Sequence, residues 1–204
     1  MVVSLLAASM PSFAQNLQLG FGGNFFFNPS TINKIYGPGI NTEAAAYIPL
    51  NDQIEVGIAL HYSRNGLDGG EALRQIGFDN LGINVDGGTH STVLGTLRLR
   101  LKGDVPWAPG ASSLAVVGGG LAYRRIADID VSALWIIEDD VLRITETVES
   151  ESETNRAIIV GFGFQYRLSS VVGLYFLPEY HHIIIDGSDI QSIVPKVGLI
   201  IGRL

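Results

Sequence analysis

The 204-residue sequence lacks cysteine altogether, which excludes a disulfide framework and a zinc site built on thiolates. It is also poor in charge: charged residues make up 16% of the chain, against about 25% in a typical soluble domain. Basic residues are fewer than acidic ones, 13 against 20. The net charge of −7 argues against nucleic acid as a partner, because that binding depends on basic patches. No apolar run reaches the roughly 18 residues that a transmembrane helix needs.

What the chain has instead is alternation. Hydrophobic residues make up 47% of it, and in residues 159–170 the large apolar ones stand at every second place, with Gly, Gln and Arg between them. Successive side chains leave a strand on opposite faces, so this pattern predicts extended strands. Eight such segments occur: 17–27, 42–50, 54–63, 89–102, 114–126, a segment around 159–168, 171–183 and 194–204. No segment shows convincing helical periodicity, and Pro178 and Pro195 each predict a bulge or a strand end.

The connections between these strands alternate in length. Residues 50–53 and 169–170 are tight turns and 103–112 is a medium turn, whereas 28–41, 64–88 and 127–155 are long connections, with a shorter one near 186–190. Strict alternation places all the long connections at one end of an antiparallel sheet. That asymmetry is typical of barrels in the bacterial outer membrane.

The two faces of the strands differ in a way that favours a membrane barrel over a soluble sheet. Behind the apolar face stand small residues and charges of both signs, which can pair inside a narrow lumen. These lumenal charges are Glu43, Glu55, Arg98, Arg100, Arg167, Glu179 and Lys196, with Arg167 expected to pair with Glu55. Aromatic residues on the apolar face, several of them near strand ends, predict a lipid-facing surface with two interfacial girdles. They are Phe21, Phe25, Phe27, Tyr62, Trp107, Phe162, Phe164, Tyr166, Phe176 and Tyr180.

The first fourteen residues have the features of a secretory signal peptide. Residues 2–8 form an apolar core, and Ser12, Phe13 and Ala14 form a small-x-small cleavage site before Gln15. No Lys or Arg precedes the apolar core, so either the signal is truncated at its start or the segment is an apolar strand. We therefore expect residues 1–14 to be removed and residues 15–204 to form one domain.

In these features the chain resembles the small eight-stranded outer-membrane proteins of the OmpA transmembrane-domain and OmpX type. The terminal strand adds to the resemblance, since Lys196-Val197-Gly198-Leu199-Ile200-Ile201 is similar to the family's C-terminal assembly signal. The family usually ends in an aromatic residue, whereas this chain ends in Leu204. The resemblance implies an antiparallel up-and-down barrel in a Gram-negative outer membrane. It also implies outer-membrane lipid, lipopolysaccharide and the barrel-assembly machinery as partners.

An acidic segment at residues 127–153 is the most charged part of the chain. It also alternates, which predicts a hairpin that continues the fifth and sixth strands beyond the membrane. Three interpretations stay open: a solvated loop, a docking edge for a protein partner, and a site for divalent cations. Its acids are Asp128, Asp130, Glu138, Asp139, Asp140, Glu146, Glu149, Glu151 and Glu153.

Catalytic and metal-binding patterns are weak. His90 and Ser91 are adjacent in a strand and must point to opposite faces, so they cannot form a nucleophile–base pair without a bulge. His61, His90 and His181 could meet in the upper lumen, and a three-histidine site there is a hypothesis that loss of zinc affinity on His90→Ala would test. Residues 118–120, three glycines, lack the Lys-Ser/Thr of a phosphate-binding loop and predict strand curvature or close packing.

The sequence therefore predicts a non-enzymatic outer-membrane barrel without a cofactor or a metal, whose lumen is filled by side chains. Its role would lie in the long loops, in surface interaction, adhesion or envelope integrity. The alternatives are a narrow pore for small solutes, a barrel enzyme that modifies lipid A, and a soluble ligand-binding barrel.

Overall fold

A computed structural model describes residues 16–27, 34–77, 82–137, 140–186 and 189–202. The predicted signal peptide lies outside the described residues, as do Glu138 and Asp139 of the acidic segment. Within the described residues the chain forms thirteen strands and one helix of more than one turn. The strands are β1 (Asn16–Phe26), β2 (Gly39–Pro49), β3 (Ile54–Asn65), β4 (Ile83–Gly87), β5 (His90–Asp104), β6 (Ala111–Ile126), β7 (Ile129–Ile137), β8 (Asp140–Val148), β9 (Glu151–Arg167), β10 (Val172–Phe176), β11 (Glu179–Ile184), β12 (Ile190–Val194) and β13 (Lys196–Gly202), and the helix is α1 (Gly69–Gln75).

Ten of these strands form a closed antiparallel barrel. The order of adjacent strands around the barrel is β1, β2, β3, β5, β6 and β9, then β10 with β11, then β12 with β13, which pair again with β1. Because β10 and β11 share one position in the wall, and β12 and β13 share another, the barrel has eight strand positions. The predicted eight-stranded up-and-down barrel is confirmed.

The hydrogen-bond register around the barrel fixes how far the strands tilt. Following paired residues from strand to strand, a path that starts at Asn16 crosses all eight strand positions. It returns to β1 at Phe26, ten residues further along the chain. Such a stagger requires strands inclined at roughly 40° to the barrel axis. Eight strands at that tilt leave an interior that side chains can fill.

Pro178 and Pro195 interrupt two of the eight strand positions without shifting their register. Pro178 separates β10 from β11, and Pro195 separates β12 from β13. Each proline carbonyl still accepts a hydrogen bond, from the Phe162 and Gly23 amides respectively, at 3.3 Å. Neither proline has an N–H to return, so each removes one bond from its ladder. The predicted strand ends are confirmed, and no extra residue is inserted at either proline.

Side chains alternate between the interior and the outer wall along every barrel strand. The wall presents large apolar side chains, of which Phe162 is 60% exposed and Leu97 is 72% exposed. The interior holds both polar and apolar residues, the latter including Leu114, Ile159 and Ile200. In β6, three consecutive glycines obscure in the sequence which residues face the interior. The structure places Leu114 and Ala122 inside and Tyr123 outside.

The short turns lie at one end of the barrel, as predicted, and polar side chains stabilise two of them. In the β2–β3 turn, the Asn51 side chain accepts hydrogen bonds from the amides of Gln53 and Ile54, at 2.9 and 2.8 Å. In the β9–β10 turn, the Ser169 hydroxyl accepts from the Val172 amide at 3.1 Å. Such side-chain bonds replace the ladder bonds that the turn lacks.

The long-loop end carries structure that the sequence patterns did not predict. Strands β4, β7 and β8 form a second sheet, in the order β4-β7-β8. The hairpin expected in the acidic segment is present as β7 and β8, and it continues the register of the barrel strands β6 and β9, as predicted. The β6–β9 ladder is interrupted after Ile126 and Glu151 and resumes in the same register at Ile129 and Val148, and β7 also pairs with β4.

Two local features build this end. Gly87 and Gly88 both have positive φ, and the Gly88 amide donates to the Asp128 carbonyl at 2.8 Å, which brings β4 beside β7. Helix α1 begins where the Asp68 carboxylate accepts a hydrogen bond from the Glu71 amide at 2.9 Å. This seven-residue helix forms in a segment where the sequence shows no convincing helical periodicity. No helix among the described residues is long and apolar enough to cross a bilayer.

Candidate functional site

The middle of the barrel interior contains a group of fully buried charges. The Arg98 guanidinium lies 2.9 Å from the Glu43 carboxylate and 3.1 Å from the Glu179 carboxylate. The Lys196 ammonium lies 2.8 Å from Glu179 and also contacts Glu43. Each acid thus contacts both bases, and two negative charges are matched by two positive ones. This arrangement meets the requirement that buried charges be paired and hydrogen-bonded.

A second group of charges lies closer to the short-turn end. Glu55 is fully buried and forms ion pairs with Arg100 and with Lys102, the latter at 3.0 Å. Glu55 and Arg100 are direct partners in the β3–β5 ladder, so their pairing follows from the register. We call Glu43, Glu55, Arg98, Arg100, Glu179 and Lys196 together the lumenal network.

Arg167 is the one predicted lumenal charge that lies outside this network. Arg167 is exposed at the short-turn end of the barrel, where β9 ends. Arg167 and Glu55 line the same open cavity of about 690 Å³, but the carboxylate of Glu55 is occupied by Arg100 and Lys102. The predicted Arg167–Glu55 pair is therefore wrong.

Neutral polar groups that the sequence patterns did not single out link the two charge groups. The Gln18 amide donates to Glu43 at 2.6 Å, and its oxygen accepts from Arg100 at 2.7 Å. Asn16 donates to Glu55 at 2.7 Å, and the Tyr175 hydroxyl donates to Glu43 at 3.4 Å. All three point inward from their strands, so the parity of each strand was the signal that could have found them.

Small residues make room for this network. A Cβ atom at Gly161 would lie 2.8 Å from the Glu179 side chain, and one at Gly20 would overlap the Tyr175 hydroxyl. Glycine at these two positions lets long polar side chains cross the lumen. Aromatic stacking adds to the packing, with the Arg100 guanidinium 3.8 Å from the centroid of the Tyr47 ring.

The histidines do not form the three-histidine site that the sequence suggested. His61 and His181 lie together, with ring centroids 5.0 Å apart, and their ligand atoms cluster with a Glu179 carboxylate oxygen within 4.8 Å. His90 lies elsewhere and contacts Arg124, Phe26 and Tyr36. Arg98 contacts both His61 and Glu179, so a cation already occupies the position that a metal would take. The residues present fit an ion-paired core better than a metal site.

Aromatic residues close the interior at the long-loop end. Tyr36, in the β1–β2 loop, is buried and packs against Phe26 and His90, with ring centroids 6.4 and 5.4 Å apart. Burial raises the pKa of the Tyr36 hydroxyl, and the nearby Arg124 acts in the opposite direction. Backbone bonds tie this loop to the next one, from the Gly37 amide to the Gly66 carbonyl at 3.1 Å.

The predicted wall aromatics all lie on the outside of the barrel or on its turns. Tyr180 is half-buried because its ring packs on Phe27 and its hydroxyl bonds to the His182 ring at 3.0 Å. Trp107 is 82% exposed in the β5–β6 turn. The others are exposed on barrel strands or just beyond them: Phe21, Phe25, Phe27, Tyr62, Phe162, Phe164, Tyr166 and Phe176.

Comparison with solved structures gives the same architecture. Neisserial surface protein A is similar to this chain with a TM-score of 0.53 and 14% sequence identity, over 92% of this chain and 96% of that one. The resemblance expected from the sequence is confirmed at the level of fold. No protein-family model matches the chain, and no curated protein sequence matches it.

Two solved structures with lower TM-scores match similar shares of this chain. A major outer membrane protein from Thermus thermophilus has a TM-score of 0.48 and 12% identity, over 91% of this chain and 98% of that one. Ail, the attachment invasion locus protein of Yersinia pestis, has a TM-score of 0.47 and 10% identity, over 92% of this chain and 99% of that one.

The acidic segment divides between two structures. Glu151 and Glu153 belong to barrel strand β9, where Glu153 forms an ion pair with Arg124 at 2.5 Å. Asp128 closes the base of the hairpin, because its carboxylate accepts a hydrogen bond from the Ser150 amide at 2.7 Å. Asp130 accepts a hydrogen bond from the Thr147 hydroxyl across the hairpin at 2.6 Å.

The remaining acids of the segment lie on or near β8 in the sequence. Glu146 and Glu149 are exposed. Asp140 opens strand β8, while Glu138 and Asp139 lie outside the described residues.

Within the described residues, the charges of the barrel interior are paired with one another. His90 is buried in the lumen, and Ser91 lies on the opposite face of β5, as strand geometry requires. The carboxylates of the lumenal network are neutralised by neighbouring bases. Exposed polar groups are also found at the short-turn cavity, on the second sheet and in the loops at the long-loop end.

Proposed function

We propose that the chain is an integral protein of the bacterial outer membrane that works through its long-loop end. The observation that carries this proposal is the inversion of the barrel, with charges buried inside and large apolar side chains exposed outside. Monomeric soluble proteins rarely expose continuous apolar surfaces of this extent. Hydrocarbon accepts such a wall, and a closed barrel leaves no unpaired strand edge in it.

In this proposal the lumenal network fills the barrel interior and does not line a channel for solutes. The network, the buried apolar residues and the aromatic closure around Tyr36 occupy the interior between the two ends. The short turns would face the periplasm and the long loops the cell exterior, as in other barrels of this class. The chain would reach its membrane after export, through the assembly machinery that reads its C-terminal strand.

The extracellular role we propose is surface interaction, with adhesion or envelope integrity as its outcome. The second sheet supports this role because it stands beyond the barrel ladder and carries exposed acids and exposed apolar residues such as Ile144 and Val148. Among the described residues, its strand β8 has a partner on one side only. An unpaired strand edge is a surface to which another extended segment can add.

Cell fractionation tests the membrane placement. We expect the full chain in the outer-membrane fraction, with faster gel migration before heating than after it. Phe162→Arg should prevent insertion, because a charge at the bilayer midplane of a barrel wall costs about 2–4 kcal/mol. Gln165→Ala, on the inner side of the same strand, should be tolerated.

Two outcomes would contradict the proposal. One is recovery of the unmodified chain in the aqueous fraction, which would favour a soluble ligand-binding barrel. The other is equal insertion of the Phe162→Arg and Gln165→Ala variants. A change in lipid A mass on expression would instead favour a barrel enzyme, to which the interior described above assigns no nucleophile.

A further inference from the structure

On the described barrel strands, the Asp, Glu, Lys and Arg side chains that point outward have one sign of charge only. Along the eight strand positions, the charged Asp, Glu, Lys and Arg side chains that point outward are Arg64, Arg125 and Arg156. His182 also points outward, and it pairs with Asp189 at 2.9 Å. In a chain with a net charge of −7, three outward arginines and no outward acid on the described barrel strands are a marked asymmetry.

The three arginines, which we call the arginine belt, lie at the long-loop end of the apolar wall. Arg64 and Arg125 follow Tyr62 and Tyr123 by two residues on ascending strands, so each lies directly beyond an exposed tyrosine on the same face. Tyrosines in this position mark the boundary between hydrocarbon and headgroups. The belt therefore lies at headgroup level if the barrel spans a membrane, and the inference rests on the proposed function in this respect.

The register brings two of these arginines and two hydroxyls into one row. Across β3, β5, β6 and β9 the ladder pairs Arg64 with Ser91, Ser91 with Arg125, and Arg125 with Ser152. Two strand spacings place the Cα atoms of Arg64 and Arg125 about 10 Å apart. Arg156 lies one strand further, opposite Leu121. All three arginines are exposed, and no ion-pair partner is found for them among the described residues.

We propose that the arginine belt binds the phosphate groups of outer-leaflet lipid. A guanidinium presents a planar fork of N–H donors that matches a phosphate in a bidentate fashion, and neighbouring serine hydroxyls add donors. The long alkyl stems of arginine can lie against the apolar wall while the charged ends reach the headgroups. Charge complementarity selects an anionic headgroup, and the spacing of the belt suits a lipid with more than one phosphate.

The test uses the full chain refolded in non-ionic octyl glucoside micelles and titrated with diphosphoryl lipid A. Binding is measured by counting lipid adducts in native mass spectrometry. The variant Arg64→Gln/Arg125→Gln/Arg156→Gln should bind at least about tenfold more weakly, because it loses three charge-assisted contacts. The control Arg167→Gln makes the same change at the short-turn end and should bind like the wild type. Monophosphoryl lipid A should bind the wild type more weakly than the diphosphoryl form.

Equal affinity of the triple variant and the wild type would overturn the proposal, and so would equal loss in the Arg167→Gln control. Competition by millimolar inorganic phosphate would indicate a free-phosphate site and would overturn the lipid assignment. If the triple variant does not fold, the single variants Arg64→Gln and Arg125→Gln decide, with weaker binding in either supporting the belt and unchanged binding in both rejecting it. Heat-modifiable migration of the wild type reports separately on the membrane proposal.

Discussion

Lys196 is a residue whose side chain serves two buried acids at once. It contacts Glu43 and Glu179, and it is fully buried itself. We expect Lys196→Met to lower the free energy of unfolding by about 3–5 kcal/mol, because the two carboxylates would then share Arg98 alone. Urea titration in detergent, followed by the change in gel migration, measures this effect.

Lys102→Met is the matched control for that prediction. Lys102 lies at the short-turn end with a side chain 16% exposed, and its partner Glu55 retains Arg100. Pairs that reach solvent contribute about 1 kcal/mol or less. Lys196→Met should therefore be clearly less stable than Lys102→Met, and equal unfolding midpoints would contradict a central role for Lys196.

Which residues share the lumen could be predicted from alternation, but which of them touch could not. Parity placed Glu55, Arg100 and Arg167 on the inner face of their strands. Their height along the barrel depends on the register between strands, and a long connection joins β3 to β5, so no tight turn fixes that register in the sequence. Arg100 is the ladder partner of Glu55, whereas Arg167 ends its strand beside Gly173.

At the scale of elements, the barrel strands were predictable because each repeats its pattern over many residues. Strand β4 and helix α1 were not. Strand β4 has five residues and α1 has seven, too few for a period to be recognised. Their positions also depend on contacts between loops, such as the pairing of β4 with β7 across more than forty residues of chain. That pairing keeps the register of the β5–β6 ladder, in which His90 is the partner of Ile126.

The two ends of the barrel can be distinguished by labelling, because the chain lacks cysteine. Glu146 lies exposed on β8, and Ser170 lies exposed in the β9–β10 turn. On intact cells, a membrane-impermeant maleimide should label the Glu146→Cys variant and should leave the matched Ser170→Cys variant unlabelled. Permeabilising the outer membrane should make both react. Labelling of Ser170→Cys alone on intact cells would reverse the proposed orientation.

For the molecule as a whole, the filled interior predicts an electrically silent protein. Side chains occupy the lumen from Tyr36 and His90 at one end to Arg100 and Glu55 at the other. We expect no stepwise single-channel current when the folded wild type is added to a planar lipid bilayer. A general porin added in parallel serves as the positive control. Reproducible current steps from the folded chain would favour a narrow pore instead.

The closure of the barrel between its first and last strands has a kinetic consequence. Strand β1 pairs with β2, which follows it closely, and with β12 and β13, which come last, so that Asn16 is a ladder partner of Gly202. Contacts between residues this far apart in sequence form slowly. Until the last strand arrives, both β1 and β13 are open edges on which another chain could add. The period before closure is therefore when the chain is most prone to aggregate, and any factor that holds it soluble must act before β13 joins β1.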